Sequence, residues 1–95
     1  MEKLDREKAV GVVRDYFRKV GVAAVEVTRG RIGVGDTLRF QGATTDLVLR
    51  VDSMQVNHQD VIEAAQGELV GIKVAERVRE NDLVFLEGGG GEEVL

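Results

Sequence analysis

From Val10 onward the sequence is a succession of short runs rich in Val, Ile, Leu, Phe and Thr, broken by glycines at intervals of about eight to twelve residues, as at Gly21, Gly30 and Gly42. This rhythm constrains the fold more than any other feature. Runs that short make poor helices, whereas apolar residues at every second position give a strand one buried and one solvated face. Residues 22–28 show the alternation: Ala23, Val25 and Val27 fall on one side, Glu26 and Thr28 on the other. Residues 69–75 repeat it with Val70, Ile72 and Val74 opposite Gly71, Lys73 and Ala75.

The same reasoning predicts strands over residues 10–20, 37–41, 44–57 and 82–87, with Ile32 and Val34 continuing the inward phase after the Arg29-Gly30 turn. Gly35-Asp36 marks a second tight turn. In the run 44–57 the apolar positions Leu47, Leu49 and Val51 are followed by Met54 and Val56, so the period of two slips once. A β-bulge at Asp52-Ser53 would restore it. Asp60, with Glu63 three residues on, has the form of a capping box, and Gly67 supplies a stop; this predicts one short helical turn near residues 60–65.

Six or seven such strands in a 95-residue chain predict an all-β fold, a small closed six- to seven-stranded antiparallel β-barrel over residues 10–87. Closure removes exposed sheet edges, and the chain has no proline with which to protect them. Residues 1–9 read as a charged lead-in, and residues 88–95, four glycines followed by Glu92-Glu93-Val94-Leu95, as a flexible acidic tail.

Composition narrows the chemistry. There is no cysteine and a single histidine, so thiolate metal sites, disulfides and thiol nucleophiles are excluded together, and no cofactor is expected. No Gly-x-x-x-x-Gly-Lys-Ser/Thr sequence is present to hold nucleotide phosphates. Gly30, Gly33 and Gly35 resemble a dinucleotide fingerprint but lie between strands rather than before a helix. Ser53, His58 and Asp60 are the residue types of a hydrolase triad, yet no nucleophile elbow surrounds Ser53. Asp60, Glu63 and Glu68 are explained by a cap, a solvated face and a turn. The sequence therefore predicts a binding module, not an enzyme. A charged start and the absence of a long apolar run predict a cytoplasmic protein with no membrane partner. High charge without cysteine hints at a heat-adapted source.

Charge is uneven: residues 1–40 carry nine Lys/Arg against six Asp/Glu, a balance of +3, and residues 41–95 carry four against eleven, a balance of −7. A local basic face could be built from the first half.

Three stretches, Gly30-Arg31-Ile32-Gly33-Val34-Gly35-Asp36-Thr37-Leu38, Ser53-Met54-Gln55-Val56-Asn57-His58 and Ala64-Ala65-Gln66-Gly67-Glu68-Leu69-Val70-Gly71-Ile72, together resemble the β-barrel second domain of the translational GTPases, the elongation factor Tu family. The likeness extends to small free-standing translation-factor-like proteins. The same barrel also resembles the C-terminal domain of certain collagenase-type peptidases. The first resemblance implies a module associated with translation, with Gln55 at the position that contacts the terminal adenosine of tRNA and Asn57 and His58 at neighbouring contact positions. It implies no GTP hydrolysis, since no GTPase domain accompanies the barrel. The candidate surface is Gln55, Asn57 and His58 with Arg29, Arg31 and Arg39, where His58 would stack on a base. The expected partner is RNA or a ribonucleoprotein. The alternative is a protein–protein interaction module that docks on a larger partner. The oligomeric state is left open.

Overall fold

The computed structural model describes residues 6–87. After a 3-10 turn at Arg6–Lys8, ten strands follow: β1 (Gly11–Phe17), β2 (Val22–Val27), β3 (Arg31–Gly33), β4 (Thr37–Gln41), β5 (Asp46–Arg50), β6 (Met54–Val56), β7 (Gln59–Val61), β8 (Glu63–Ala65), β9 (Leu69–Lys73) and β10 (Leu83–Leu86). The all-β expectation holds. Among the described residues no helix is long and apolar enough to cross a membrane.

Alternation decides which faces are buried. Ala23, Val25 and Val27 on β2, Leu38 and Phe40 on β4, and Val70 and Ile72 on β9 are all fully enclosed. Each large apolar side chain removed from water in this way contributes about 1.5–3 kcal/mol. Val13, Ile32, Met54, Ala64 and Val84 join them in one cluster. Val34, expected inward, is instead exposed in the turn before β4. Ala9, at the end of the lead-in, and Val10, which follows it, are buried.

Eight strands form one antiparallel sheet in the order β5-β4-β10-β1-β2-β9-β6-β7, and β3 pairs separately with β8. Consecutive strands β5 and β6 thus stand far apart in the order, yet only Val51-Asp52-Ser53 separates them. The four peptide steps from Arg50 to Met54 reach at most about 14 Å, so the sheet must roll until its two ends lie close. It does not close: among the described residues no ladder joins β5 to the far end, and the expected closed six- to seven-stranded barrel is replaced by an open, rolled sheet. The physical reason lies after β9, where the chain bends at Ala75-Glu76 and sends Val78 into the core instead of continuing a strand beside β5.

Two other expectations are corrected. The bulge predicted at Asp52-Ser53 is a crossover between the two ends of the sheet, and the register irregularity of the described sheet falls in β1 between Val13 and Asp15. The helical turn predicted near residues 60–65 is absent. Asn57 and His58 take φ of 53° and 66°, and with Val56 paired to Gln59 they form a two-residue hairpin turn of the primed kind. That turn folds β7 back onto β6, so Asp60 faces Gln55 across a ladder rather than capping a helix, and β8 goes on to pair with β3. The acidic tail predicted over residues 88–95 lies outside the described residues.

Candidate functional site

The opening in the rolled sheet is lined by chemistry of its own. At the start of β5 the Gly42 N–H donates to the Thr45 carbonyl (2.9 Å), and at its end the Val51 N–H donates to the Asp36 carbonyl (2.8 Å). These bonds fix the phase of the β4–β5 ladder, so the odd-numbered residues bond to β4. The backbone N–H and C=O groups of Asp46, Val48 and Arg50 therefore point away from β4, and none has a hydrogen-bond partner among the described residues. Side chains alternate with the same period: Leu47 and Leu49 are half-buried, while Asp46, Val48 and Arg50 are exposed.

Beside this edge lies a shallow cleft of about 330 Å³ lined by Leu49, Arg50, Asp52, Ser53, Lys73, Val74 and Ala75. Ser53 and Lys73 also line a second cleft of about 240 Å³, which continues the groove past Met54 and Gln55 to Gly71. The Arg50 and Lys73 side chains form no ion pair or hydrogen bond among the described residues. The groove thus offers two unengaged cations, an apolar wall and a free backbone edge. The groove's cations escaped sequence reasoning because residues 44–57 read as one strand, which conceals the crossover that brings Arg50 toward Lys73. The one signal was the slipped period between Val51 and Met54.

The residues singled out from the sequence are dispersed. Gln55, Asn57 and His58 share the β6–β7 hairpin, but only Gln55 lines the groove, and its side-chain amide donates to Asp60 Oδ1 at 3.0 Å. Asn57 and His58 form the turn itself. The Arg29 guanidinium donates to the Glu7 carbonyl. Arg31, on β3, lies 3.8 Å from Glu63 on β8. Arg39, on β4, donates to both carboxylate oxygens of Asp46 (2.8 and 2.9 Å) and lies 3.9 Å from Glu87. The Arg39 hydrogen bond holds the Asp46 carboxyl below the usual carboxylate range, and the same bond raises the Arg39 guanidinium above its own. All three arginines thus already have oxygen partners. The Arg31–Glu63 pair is long and largely exposed, so it holds Arg31 only weakly. Among the described residues no group of three or more His, Asp or Glu side chains is placed to hold a metal ion.

Residues 5–84 match the family model of the peptidase family U32 C-terminal domain. Over 82 residues the chain is 43% identical to an uncharacterized protease of Methanocaldococcus jannaschii, a match covering 85% of this chain and 20% of that protein. It is 32% identical over 77 residues to a collagenase of Porphyromonas gingivalis, covering 80% of this chain and 21% of the collagenase. The fold matches the crystal structure of the C-terminal domain of a protein assigned to the U32 peptidases in Geobacillus thermoleovorans, with a TM-score of 0.80 at 18% identity, over 90% of this chain and 99% of that one. The chain spans about a fifth of the length of the curated relatives it matches.

These matches overturn the likeness to the translational GTPases and, with it, the expectation of a translation-associated RNA-binding module. The three stretches that carried that likeness all fall within the matched region. Such stretches fix turns and short strands, and a shared local fold does not by itself fix function.

Proposed function

The chain belongs to the peptidase family U32 C-terminal domain family, and from that premise we propose that it is the recognition domain of a peptidase, holding polypeptide for a catalytic portion that lies elsewhere. The observation that carries this reading is the fraction of its relatives that the chain spans. Proteins named as a protease and a collagenase match 80–85% of this chain within about a fifth of their own length. A unit of that size, appended to a larger polypeptide-cleaving protein, adds affinity most simply by gripping substrate away from the bond to be cut. The groove beside β5 supports the reading, because a free backbone edge with an apolar wall suits a polypeptide better than a small metabolite.

The test is to delete the matching segment from the Porphyromonas gingivalis collagenase. Cleavage of a short fluorogenic peptide is then compared with cleavage of denatured collagen. A recognition domain predicts that KM for the long substrate rises at least about tenfold while kcat/KM for the short peptide stays within about threefold. Equal loss for both substrates would make the segment part of the catalytic body, and no change for either would remove it from substrate handling.

A further inference from the structure

We propose that β5 is the edge on which an extended polypeptide docks as an added strand, with acidic side chains of that polypeptide beside Arg50 and Lys73. This deepens the recognition role and rests on it for the source of the polypeptide, while the binding itself needs no peptidase. The outward donors and acceptors of Asp46, Val48 and Arg50 recur every second residue, about 6.8 Å apart. An extended backbone carries its own groups at that repeat and satisfies all of them at once.

Sheets normally blunt such edges with proline, extreme shortness or a covering element. Among the described residues none of these three devices guards β5, whose exposed charges are Asp46, held by Arg39, and the unengaged Arg50. The chain contains no proline. The opposite edge, β7, has three residues, and its ladder to β6 leaves only Asp60 facing outward. β5 has five residues, with Val48 half exposed at its centre. Where the next strand could have been, the chain bends at Ala75-Glu76.

Charge and apolar surface select the guest. Arg50 and Lys73 are unengaged in a half of the chain whose balance is −7, and a single carboxylate, Asp52, shares their cleft. Leu49, Val74 and Ala75 supply the apolar wall. A strand whose side chains alternate between apolar and acidic would present each kind to its complement, since successive side chains point to opposite faces.

The probe is a short blocked peptide of alternating valine and glutamate, titrated into the full chain and followed through backbone amide NMR shifts. Shifts are expected at Asp46, Val48 and Arg50. Val48→Pro removes one outward N–H and no ladder bond to β4, a place where an edge strand tolerates proline; it should weaken binding at least tenfold while the fold persists. If that variant fails to fold, the same peptide N-methylated at alternate residues carries the test on the unmodified chain, with the same tenfold loss expected. Arg50→Glu combined with Lys73→Glu should reverse the preference toward a valine–lysine peptide. Equal binding of the N-methylated and parent peptides, or no binding of the parent at millimolar concentration, would overturn the proposal. If the deletion experiment nevertheless shows long-substrate recognition, that outcome retires the β5 edge and leaves the recognition role standing.

Discussion

Gly42→Ala concentrates the packing logic of the fold into one methyl group. A Cβ at Gly42 would stand 1.9 Å from Asp82 Oδ1 and 2.8 Å from its Cγ. Neither side can retreat easily. The Gly42 N–H is bonded to the Thr45 carbonyl, the Asp82 carbonyl accepts from the Val13 N–H at 2.8 Å, and the Asp82 N–H donates to the Arg79 carbonyl at 3.1 Å. The carboxylate must therefore rotate, and Asp82 is only 5% exposed. Rotation breaks the bond from the Arg79 N–H to Asp82 Oδ2, at 2.8 Å. A hydrogen bond to a charged group is worth about 1.5–3 kcal/mol, and a rotation left incomplete by the close packing adds overpacking strain. The expected destabilisation is about 2–4 kcal/mol, which lowers Tm by roughly 10–30 °C in a domain of this size. Urea unfolding followed by far-UV circular dichroism measures it, since the chain has no tryptophan to report by fluorescence. In an Asp82→Ala background the same Gly42→Ala change should cost less than about 1 kcal/mol, because the obstructing carboxylate is gone. An equal cost in both backgrounds would refute the reasoning, as would a cost below about 0.5 kcal/mol in the unmodified chain.

Other outcomes follow from the same geometry. His58→Gly should raise stability by about 0.5–1 kcal/mol, because φ of 66° burdens a side chain there and glycine suits a turn of this kind; a fall in the urea midpoint would count against the turn assignment. Asp46, whose carboxyl is depressed by Arg39, adds stability that is present above its unfolded value near about pH 4 and lost as pH falls through its lower folded value. The urea midpoint of Asp46→Asn should therefore drop less than that of the unmodified chain between pH 5 and pH 2, and parallel curves would contradict the pairing.

The sequence states its period of two plainly, and the enclosed positions Ala23, Val25, Val27, Leu38, Phe40, Val70 and Ile72 could all be read from it. It does not state which strand neighbours which. A slip of one residue between Val51 and Met54 is the same signal whether the strand bulges in place or leaves one end of the sheet for the other, and pairing partners far along the chain decided for the crossover. At Asp60 and Glu63 the local capping pattern favoured helix, but the hairpin turn at Asn57-His58 delivers those residues to the ladders of β6 and β3. Context overrode local propensity there. The functional groove was illegible for the same reason: Arg50 and Lys73 are 23 positions apart and meet only because the sheet rolls. Arg29, Arg31 and Arg39, close together in sequence, are separately satisfied by Glu7, Glu63 and Asp46.

The measurement that bears most directly on the recognition role is a graft. A peptidase of this family, stripped of its matching segment, receives this chain in its place, once unmodified and once as Val48→Pro, and KM is measured on a long polypeptide and on a short peptide. The account predicts that the unmodified graft restores KM for the long substrate to within about threefold of the intact enzyme, that Val48→Pro does not, and that the short peptide is cleaved alike by all forms. A folded graft that leaves long-substrate KM where deletion put it would contradict the account.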